Sequence, residues 1–231
     1  PETKNMQLEN WSLIFKSLYS VFSLRNSLIL AILLFIAQGS YNYIATLLPI
    51  FTVQELGWTD QAYSQTFATA SLIGGFGGML IGGILIEKFG KIRMMNSYFI
   101  LLIFLTAGFI YFKSYWSRTT FIISFMIIYQ IIYVFACVGI FAIAMECCWK
   151  KVSASQFTIF MTIGNLGRTT GAKMIGEVKE HFTWDFTILA FAGMMVLALV
   201  IIQFLHIKNH LVHVENLENK FAKSDKKYQS E

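Results

Sequence analysis

The sequence predicts an all-α membrane protein in which six transmembrane helices form one bundle. Hydrophobic residues make up 56% of the 231 residues and charged residues only 13%, whereas a soluble globular chain carries about 25% charged residues. The mean hydropathy is +0.59, and long apolar runs alternate with short polar turns. These observations exclude a soluble domain and a disordered chain.

The net charge of +5 does not indicate a nucleic-acid partner. The cations are scattered over short turns and a tail, a pattern that membrane topology explains. We therefore expect a lipid bilayer as the surroundings. The three cysteines show neither disulfide nor zinc-binding spacing, so they are interpreted as packing residues, and we expect neither metal nor cofactor.

Residues 1–26 form a polar lead-in, which we interpret as a cytoplasmic linker with an amphipathic helix. Apolar residues recur in it at helical spacing: Trp11, Ile14, Phe15, Leu18 and Phe22. The pattern favours a helix on the membrane surface, with Lys16 and Arg25 on its wet side. A helix that binds a partner protein is the alternative.

The bundle is predicted to occupy residues 27–207, and residues 208–231 are interpreted as a charged cytoplasmic tail. The six predicted spans are residues 27–53, 60–87, 94–112, 119–145, 154–176 and 184–207. The third has few polar residues, which indicates a lipid-facing helix.

The first span is broken by polar residues near its middle. Gln38 and Asn42 lie four residues apart on one helical face, with Tyr41 beside them. Polar groups at this depth are unfavourable unless they face a cavity or a partner, so this span is predicted to line a transport path. Hydrogen bonding between helices alone is the alternative.

Two further spans show informative patterns. Gly74, Gly78 and Gly82 form a row in the second span, which predicts the close approach of another helix. The middle of the fourth span carries Tyr129, Gln130 and Tyr133, which either line a path for a sugar or peptide or belong to the core.

The fifth span carries Asn165 and Arg168, three residues apart on one face. A buried arginine costs about 2.5–3.5 kcal/mol on insertion scales and needs an anion, carbonyl groups or a water-filled cavity. No acidic residue lies in the middle of the other spans. A substrate carboxylate or phosphate is therefore a natural partner for Arg168. Backbone carbonyls, or an acid in another part of the protein, are the alternatives.

The start of the tail carries His206, His210 and His213 on one helical face. The ordinary interpretation is the end of an interfacial helix, and a metal site is the alternative. The histidines other than His181 cluster at the start of the tail, and no span carries an acidic residue near its middle, so the constellation of an intramembrane enzyme is not found.

Lysine and arginine are concentrated on one side of the predicted bundle. The lead-in, the turns at residues 88–93 and 150–151, and the tail carry most of them, whereas the other side has Lys113, Arg118 and Lys179. The positive-inside rule therefore places both termini in the cytoplasm.

The turn between the second and third spans resembles the signature loop of the major facilitator superfamily, G-x-x-x-D-R-x-G-R-[RK]. The matching residues are Gly83, Glu87, Lys88, Gly90, Lys91 and Arg93. Glutamate replaces the aspartate of the pattern, and Ile92 separates the last two cations. An ordinary positive-inside turn is the alternative.

In that superfamily the loop joins the second and third helices of each six-helix half. The resemblance therefore implies a transporter fold. Because a linker-like lead-in precedes the spans, the chain is expected to be its C-terminal half. An N-terminal six-helix half is then expected as a partner in the bilayer.

Residues 152–184 look like the eleventh helix and its flanks in the AmpG-like muropeptide permeases and the related acetyl-CoA transporter family. The similarity rests on the run Ser153 to Phe157, on Asn165 to Arg168, and on Gly171, Gly176 and Trp184. It implies an inner-membrane importer of anhydro-muropeptides, which are anionic glycopeptides, with protons as the driving ion. It also adds Gln156 to the candidate path residues.

The chain departs from that family in two places. Residues 40–42 contain no acid where many members carry one, and Gln65 stands where a base is often found. If protons drive transport, the titrating carboxylate is expected in the other half.

Roles can be assigned on this basis. Arg168 is expected to clamp an anionic group, and Tyr41 and Tyr133 to stack on a sugar ring. Asn165, Gln38, Asn42 and Gln130 are expected to bond hydroxyls or amides. A siderophore or a CoA ester is the alternative substrate, and a non-transporting membrane sensor or subunit is the alternative function.

Overall fold

A computed structural model describes residues 11–229 of the chain, with the side chains of residues 13–78 and 80–221. It confirms the all-α class, because every regular element in this range is helical. Residues 1–10 of the predicted lead-in, the side chain of Trp11 and the last part of the tail lie outside this description.

Nine α-helices follow one another in the described range. They are α1 (Trp11–Phe22), α2 (Arg25–Gln54), α3 (Asp60–Gly77), α4 (Gly83–Phe89), α5 (Lys91–Tyr111), α6 (Thr119–Glu146), α7 (Ser153–His181), α8 (Trp184–Ile202) and α9 (Ile207–Gln229). A π-helical segment, Gly78–Gly82, joins α3 to α4, so the two form one continuous rod.

Five of these rods are long and apolar enough to cross a membrane: α2, α3 with α4, α5, α6 and α8. Helix α7 is long enough, at 29 residues, but more polar, because its exposed face carries Thr158, Thr162, Asn165 and Thr169. A sixth span at α7 therefore stays a prediction. Helix α8 ends at Ile202, short of the predicted limit at residue 207.

The long helices pack side by side in the order α7, α2, α8, α5, α6, α3. The most extensive contact joins α2 to α7, and α3 packs mainly on α6. One apolar core runs through this arrangement, with Leu33, Phe51, Met95, Phe160 and Phe191 almost fully buried. Helices α2 and α7 therefore form a closely joined pair within the bundle.

Glycine residues bring α2 and α7 into backbone contact. A Cβ atom on Gly167 would lie 2.1 Å from the carbonyl oxygen of Phe35, and one on Gly171 would lie 1.9 Å from that of Gly39. No larger residue fits at either position, because the obstructing atoms are backbone and cannot rotate away.

The predicted glycine row of the second span also allows close contact between two helices. Gly74 lies against the backbone of Gln130, and a Cβ on Gly78 would meet the side chain of Val134 at 2.1 Å. The helix that packs against this row is thus α6. The sequence predicted the close approach but not the identity of the neighbour.

The turn between α4 and α5 is closed by Gly90, whose φ of 88° lies in the left-handed region that favours glycine. Lys91, directly after it, forms an ion pair of 2.5 Å with Glu146 at the end of α6. Glu87 is exposed, and the ion pair that anchors this turn uses Glu146 instead.

A second, smaller core lies at the end of the bundle where α1 and α9 meet the turn between α6 and α7. It consists of Val21, Trp149, Val152 and Val214, with Ile14, Leu18, Phe22, Leu24 and Phe221 around them. Apolar residues of α1 thus pack on this core, and the predicted place of the helix at the membrane surface stays a prediction. Phe15, which was expected on that face, is 67% exposed.

Replacement of Gly171 by alanine is predicted to destabilise the fold. The added methyl group must push α2 and α7 apart, and such overpacking costs about 1–3 kcal/mol. The melting temperature of the purified protein in detergent measures the effect. Gly176→Ala is the matched control, because a Cβ there meets nothing within 4 Å. Equal melting temperatures for the two variants would contradict the packing described.

Candidate functional site

Arg168 lies near the middle of α7 and is bonded to α2. Its Nε donates a 2.8 Å hydrogen bond to the Oε1 atom of Gln38, and its guanidinium carbon lies 5.4 Å from the ring centroid of Tyr41. The backbone contact at Gly167 and Gly171 brings these groups within reach, because it removes the layer of side chains that normally separates two helices.

The charge of Arg168 is not balanced by a carboxylate among the described residues. The ion pairs of this range join Lys91 to Glu146 and Lys113 to Asp185, and neither involves Arg168. The two terminal guanidinium nitrogens also lack a hydrogen-bond partner in the described part of the chain. A planar pair of donors therefore stays open, which is the geometry that binds a carboxylate or phosphate with two bonds.

The polar residues of α2 around Gln38 are mostly engaged between helices. Asn42 donates from Nδ2 to the carbonyl oxygen of Arg168 at 3.0 Å, and Nε2 of Gln38 lies 4.0 Å from Sγ of Cys137 on α6. Asn42 thus follows the alternative interpretation of an interhelical hydrogen bond. Gln38 joins α7, α2 and α6 and orients the arginine. The central cluster is defined here as Arg168, Gln38, Tyr41, Asn42 and Tyr133.

The two tyrosines of the central cluster stack on each other. The ring centroids of Tyr41 and Tyr133 are 3.8 Å apart with an interplanar angle of 9°, and Arg168 occupies the vicinity of the Tyr41 ring as well. The expected stacking of a sugar on Tyr41 therefore finds that ring already occupied by neighbours. A ligand at this position meets the edge of the ring pair instead.

A cavity of about 20 Å³ adjoins the central cluster, lined in part by Gln38, Tyr41, Tyr133 and Cys137. This volume holds roughly one water molecule, so it is too small for a metabolite.

Two other predicted site residues flank the cluster. Gln130 is buried, lies within hydrogen-bonding reach of Tyr41, and has an Oε1 atom without a hydrogen-bond partner among the described residues. Asn165 is exposed on the face of α7 that also carries Thr162 and Thr169. The first offers an unused acceptor inside the bundle, and the second lies on the open polar face.

The structure does not bring Gln156 to the central cluster. Its side chain is fully buried at the end of the bundle, where Oε1 accepts from the backbone N–H of Trp149 at 2.8 Å and Nε2 donates to the carbonyl oxygen of Cys147 at 3.3 Å. Twelve residues of helix separate it from Arg168, which is about 18 Å. Gln156 thus closes the turn between α6 and α7.

The signature-loop residues also lie at this end, away from the central cluster. Gly83, Lys88 and Arg93 make no contact with Arg168, and Lys88 lies 5.5 Å from the ring of Phe89. Their place fits a structural turn held by the ion pair of Lys91 and Glu146.

The three tail histidines point to separate partners. Nδ1 of His206 lies 3.0 Å from the carbonyl oxygen of Phe204, and Nε2 of His210 lies 2.8 Å from that of Cys147. Nδ1 of His213 is bonded to the carbonyl oxygen of Asn209. No group of three His, Cys, Asp or Glu side chains in the described range could hold a metal ion.

Sequence reasoning missed one residue near the site. Cys137 was interpreted as packing only, yet it touches Gln38 and Tyr133. It lies four residues from Tyr133 on α6, so helical spacing was the signal that could have found it. Tyr129, which the sequence placed near the middle of the fourth span, stacks beside Tyr133 with ring centroids 6.0 Å apart.

Comparison with known protein families gives one match. A family model described as Major Facilitator Superfamily matches residues 2–172, which is most of the chain and includes the central cluster. No curated protein matches the sequence.

Gln156 and Asn165 are predicted to differ sharply in their effect on stability. Gln156→Ala leaves the buried N–H of Trp149 without an acceptor, which costs about 1–3 kcal/mol. Asn165→Ala, on the same helix but exposed, is expected to stay within about 0.5 kcal/mol of the parent protein. Denaturant unfolding in detergent compares the two. A neutral Gln156→Ala variant would show that this glutamine does not hold the turn.

Proposed function

The chain belongs to the major facilitator superfamily, a family of membrane transporters rather than enzymes, and we propose that its substrate is an anionic small molecule bound at Arg168. The open guanidinium donors and the absence of a balancing carboxylate in the described range carry this proposal. An anion supplies the charge that the protein itself does not place there.

The mechanism follows from the neighbours of Arg168. Gln38 holds Nε and Tyr41 lies against the guanidinium, so the side chain is oriented before a ligand arrives and loses little freedom on binding. Alternating access then requires that a second six-helix unit close over the open side of α7 and α3. We propose that an N-terminal half of the protein supplies this unit.

For the substrate we propose a peptidoglycan fragment of the anhydro-muropeptide class. The similarity of residues 152–184 to muropeptide permeases supports the class, and the polar face of α7 offers hydroxyl and amide groups for a glycopeptide. Asn165 and Thr169 are exposed there beside Arg168. A carboxylate of the peptide would accept two hydrogen bonds from the terminal guanidinium nitrogens of Arg168.

Proton coupling is part of the proposal. No described residue of the central cluster is a carboxylate, so the group that titrates would come from the other half. The bundle would lie in the inner membrane with both ends in the cytoplasm, and the contact of α1 with α9 at one end of the bundle supports a common side for them.

Substitution of Arg168 by alanine is predicted to reduce uptake of a labelled anhydro-muropeptide to background. The variant loses both donors of the fork, and hydrogen bonds to charged groups are worth about 1.5–3 kcal/mol each. Arg168→Lys keeps the charge but not the fork, so it is expected to lose at least about tenfold in affinity. Lys173→Ala, exposed on the same helix, is the control and should transport normally.

The same uptake assay separates the finer parts of the proposal. If a siderophore or a CoA ester competes for uptake and a muropeptide does not, the proposed substrate is wrong, whereas the proposed role of Arg168 stands. Uptake that survives collapse of the proton gradient unchanged would remove proton coupling. Full uptake by Arg168→Ala, at equal amounts of protein in the membrane, would refute the site.

A second prediction concerns the other half. The intact mass of the native protein, purified in detergent by its C-terminal segment, is expected to be about twice the 26.4 kDa of this chain. A native mass equal to that of this chain would mean that two copies, or another protein, must complete the pathway.

A further inference from the structure

A polar pocket of about 270 Å³ lies where α2 and α9 begin, next to the end of α8. Its lining residues are Leu24, Arg25, Asn26, Phe204, His206, Asn209, His210 and His213. It is separate from the central cluster, because Arg25 and Gln38 are thirteen residues apart on one helix, about 20 Å. Nothing in the transport mechanism uses it.

The pocket favours a negative charge. Arg25 is exposed and has no ion-pair or hydrogen-bond partner for its side chain among the described residues, and no carboxylate belongs to the lining. Helix α2 begins here after Leu24 without a side-chain cap. The N–H of Ser27 donates to the carbonyl oxygen of Leu24 at 3.0 Å, so the open N–H groups at this helix start are those of Arg25 and Asn26. A free guanidinium beside an uncapped helix start binds phosphate groups well.

His210 adds an unused hydrogen-bond acceptor. The residue is fully buried, and its Nδ1 has no hydrogen-bond partner in the described range. Burial lowers the pKa of His210 below its ordinary value, although its hydrogen bond to Cys147 opposes this. The imidazole is therefore neutral at pH 7, with the proton on the Nε2 atom that faces the carbonyl oxygen of Cys147. The remaining nitrogen, Nδ1, is an acceptor with almost no exposed surface, so a ligand hydroxyl reaches it only when a neighbouring side chain moves aside.

The surface next to the pocket is apolar. On α2, Leu28 and Ile32 are 52% and 51% exposed, and they follow Arg25 at one and two turns. Val200 on α8 and Phe204 in the turn after it are 50% and 51% exposed, and Phe204 lines the pocket. A charged recess thus continues directly into an apolar strip on two neighbouring helices, which is the pattern of a phospholipid rather than of a soluble anion.

We propose that this pocket binds the headgroup of an anionic phospholipid of the phosphatidylglycerol type. The phosphate lies at Arg25 and the first turn of α2, and the headgroup hydroxyls lie toward Asn209 and His210. The acyl chains run along Leu28, Ile32, Val200 and Phe204. Because the pocket joins the starts of α2 and α9, the lipid fixes the base of the helix that carries Gln38 and Tyr41.

The test uses the natural protein in detergent, titrated with short-chain phosphatidylglycerol or phosphatidylcholine, with melting temperature as the readout. Phosphatidylglycerol is expected to raise the melting temperature, and Arg25→Gln is expected to weaken its binding by tenfold or more. Lys16→Gln is the control, since Lys16 is an exposed cation outside the pocket. A cation that acts only through surface charge contributes about fivefold at most.

Three outcomes would overturn the proposal. If Arg25→Gln and Lys16→Gln weaken phosphatidylglycerol binding equally, the lipid is attracted by surface charge alone. An equal response to phosphatidylcholine would show that the anionic headgroup is not recognised. A shift of the same size with sn-glycerol 3-phosphate alone would assign the pocket to a soluble phosphate ester. Asn209→Ala alters the same pocket without changing a charge. It is expected to weaken phosphatidylglycerol binding and to leave the melting temperature in phosphatidylcholine unchanged.

Discussion

The backbone contact between α2 and α7 is the constraint on which the rest of the structure depends. The carbonyl oxygens of Phe35 and Gly39 occupy the space where Cβ atoms of Gly167 and Gly171 would stand. This approach places Arg168, the residue after Gly167, directly against Gln38 and Tyr41. A helix pair separated by ordinary side chains would leave the arginine without these neighbours, at a depth where an unsolvated charge is strongly unfavourable.

The neighbours of Arg168 stabilise its charge without cancelling it. The amide oxygen of Gln38 accepts one hydrogen bond, and the ring of Tyr41 provides a face with partial negative charge. Both are neutral, so the site keeps a net positive charge, and the terminal guanidinium nitrogens have no hydrogen-bond partner among the described residues. A carboxylate from the same bundle would have made a stable ion pair but would also have competed with an anionic ligand.

The sequence alone predicts the all-α class and the pairing of polar positions on single helices, because helical spacing decides which residues share a face. Arg168 and Gln38 were found in this way. Spacing does not show which neighbour a face meets. Gln156 shares the helix of Arg168 yet closes a turn at its end, and Lys91 pairs with Glu146 rather than with the nearby Glu87. The stacking of Tyr41 on Tyr133 depends likewise on the distance between two helices.

The close contact of α2 and α7 also bears on how the bundle can move. Backbone atoms of the two helices meet at Gly39, Gly167 and Gly171, and this is the most extensive helix contact in the described range, so we expect the two helices to move together. Helix α3 differs, because a π-helical segment at Gly78–Gly82 interrupts it, and such segments are common where helices adjust during function. A rocking motion of the bundle would therefore carry Arg168 and Gln38 together, and local bending would fall on the segment between α3 and α4. The arginine would keep its orientation toward the ligand in both the inward-open and the outward-open states.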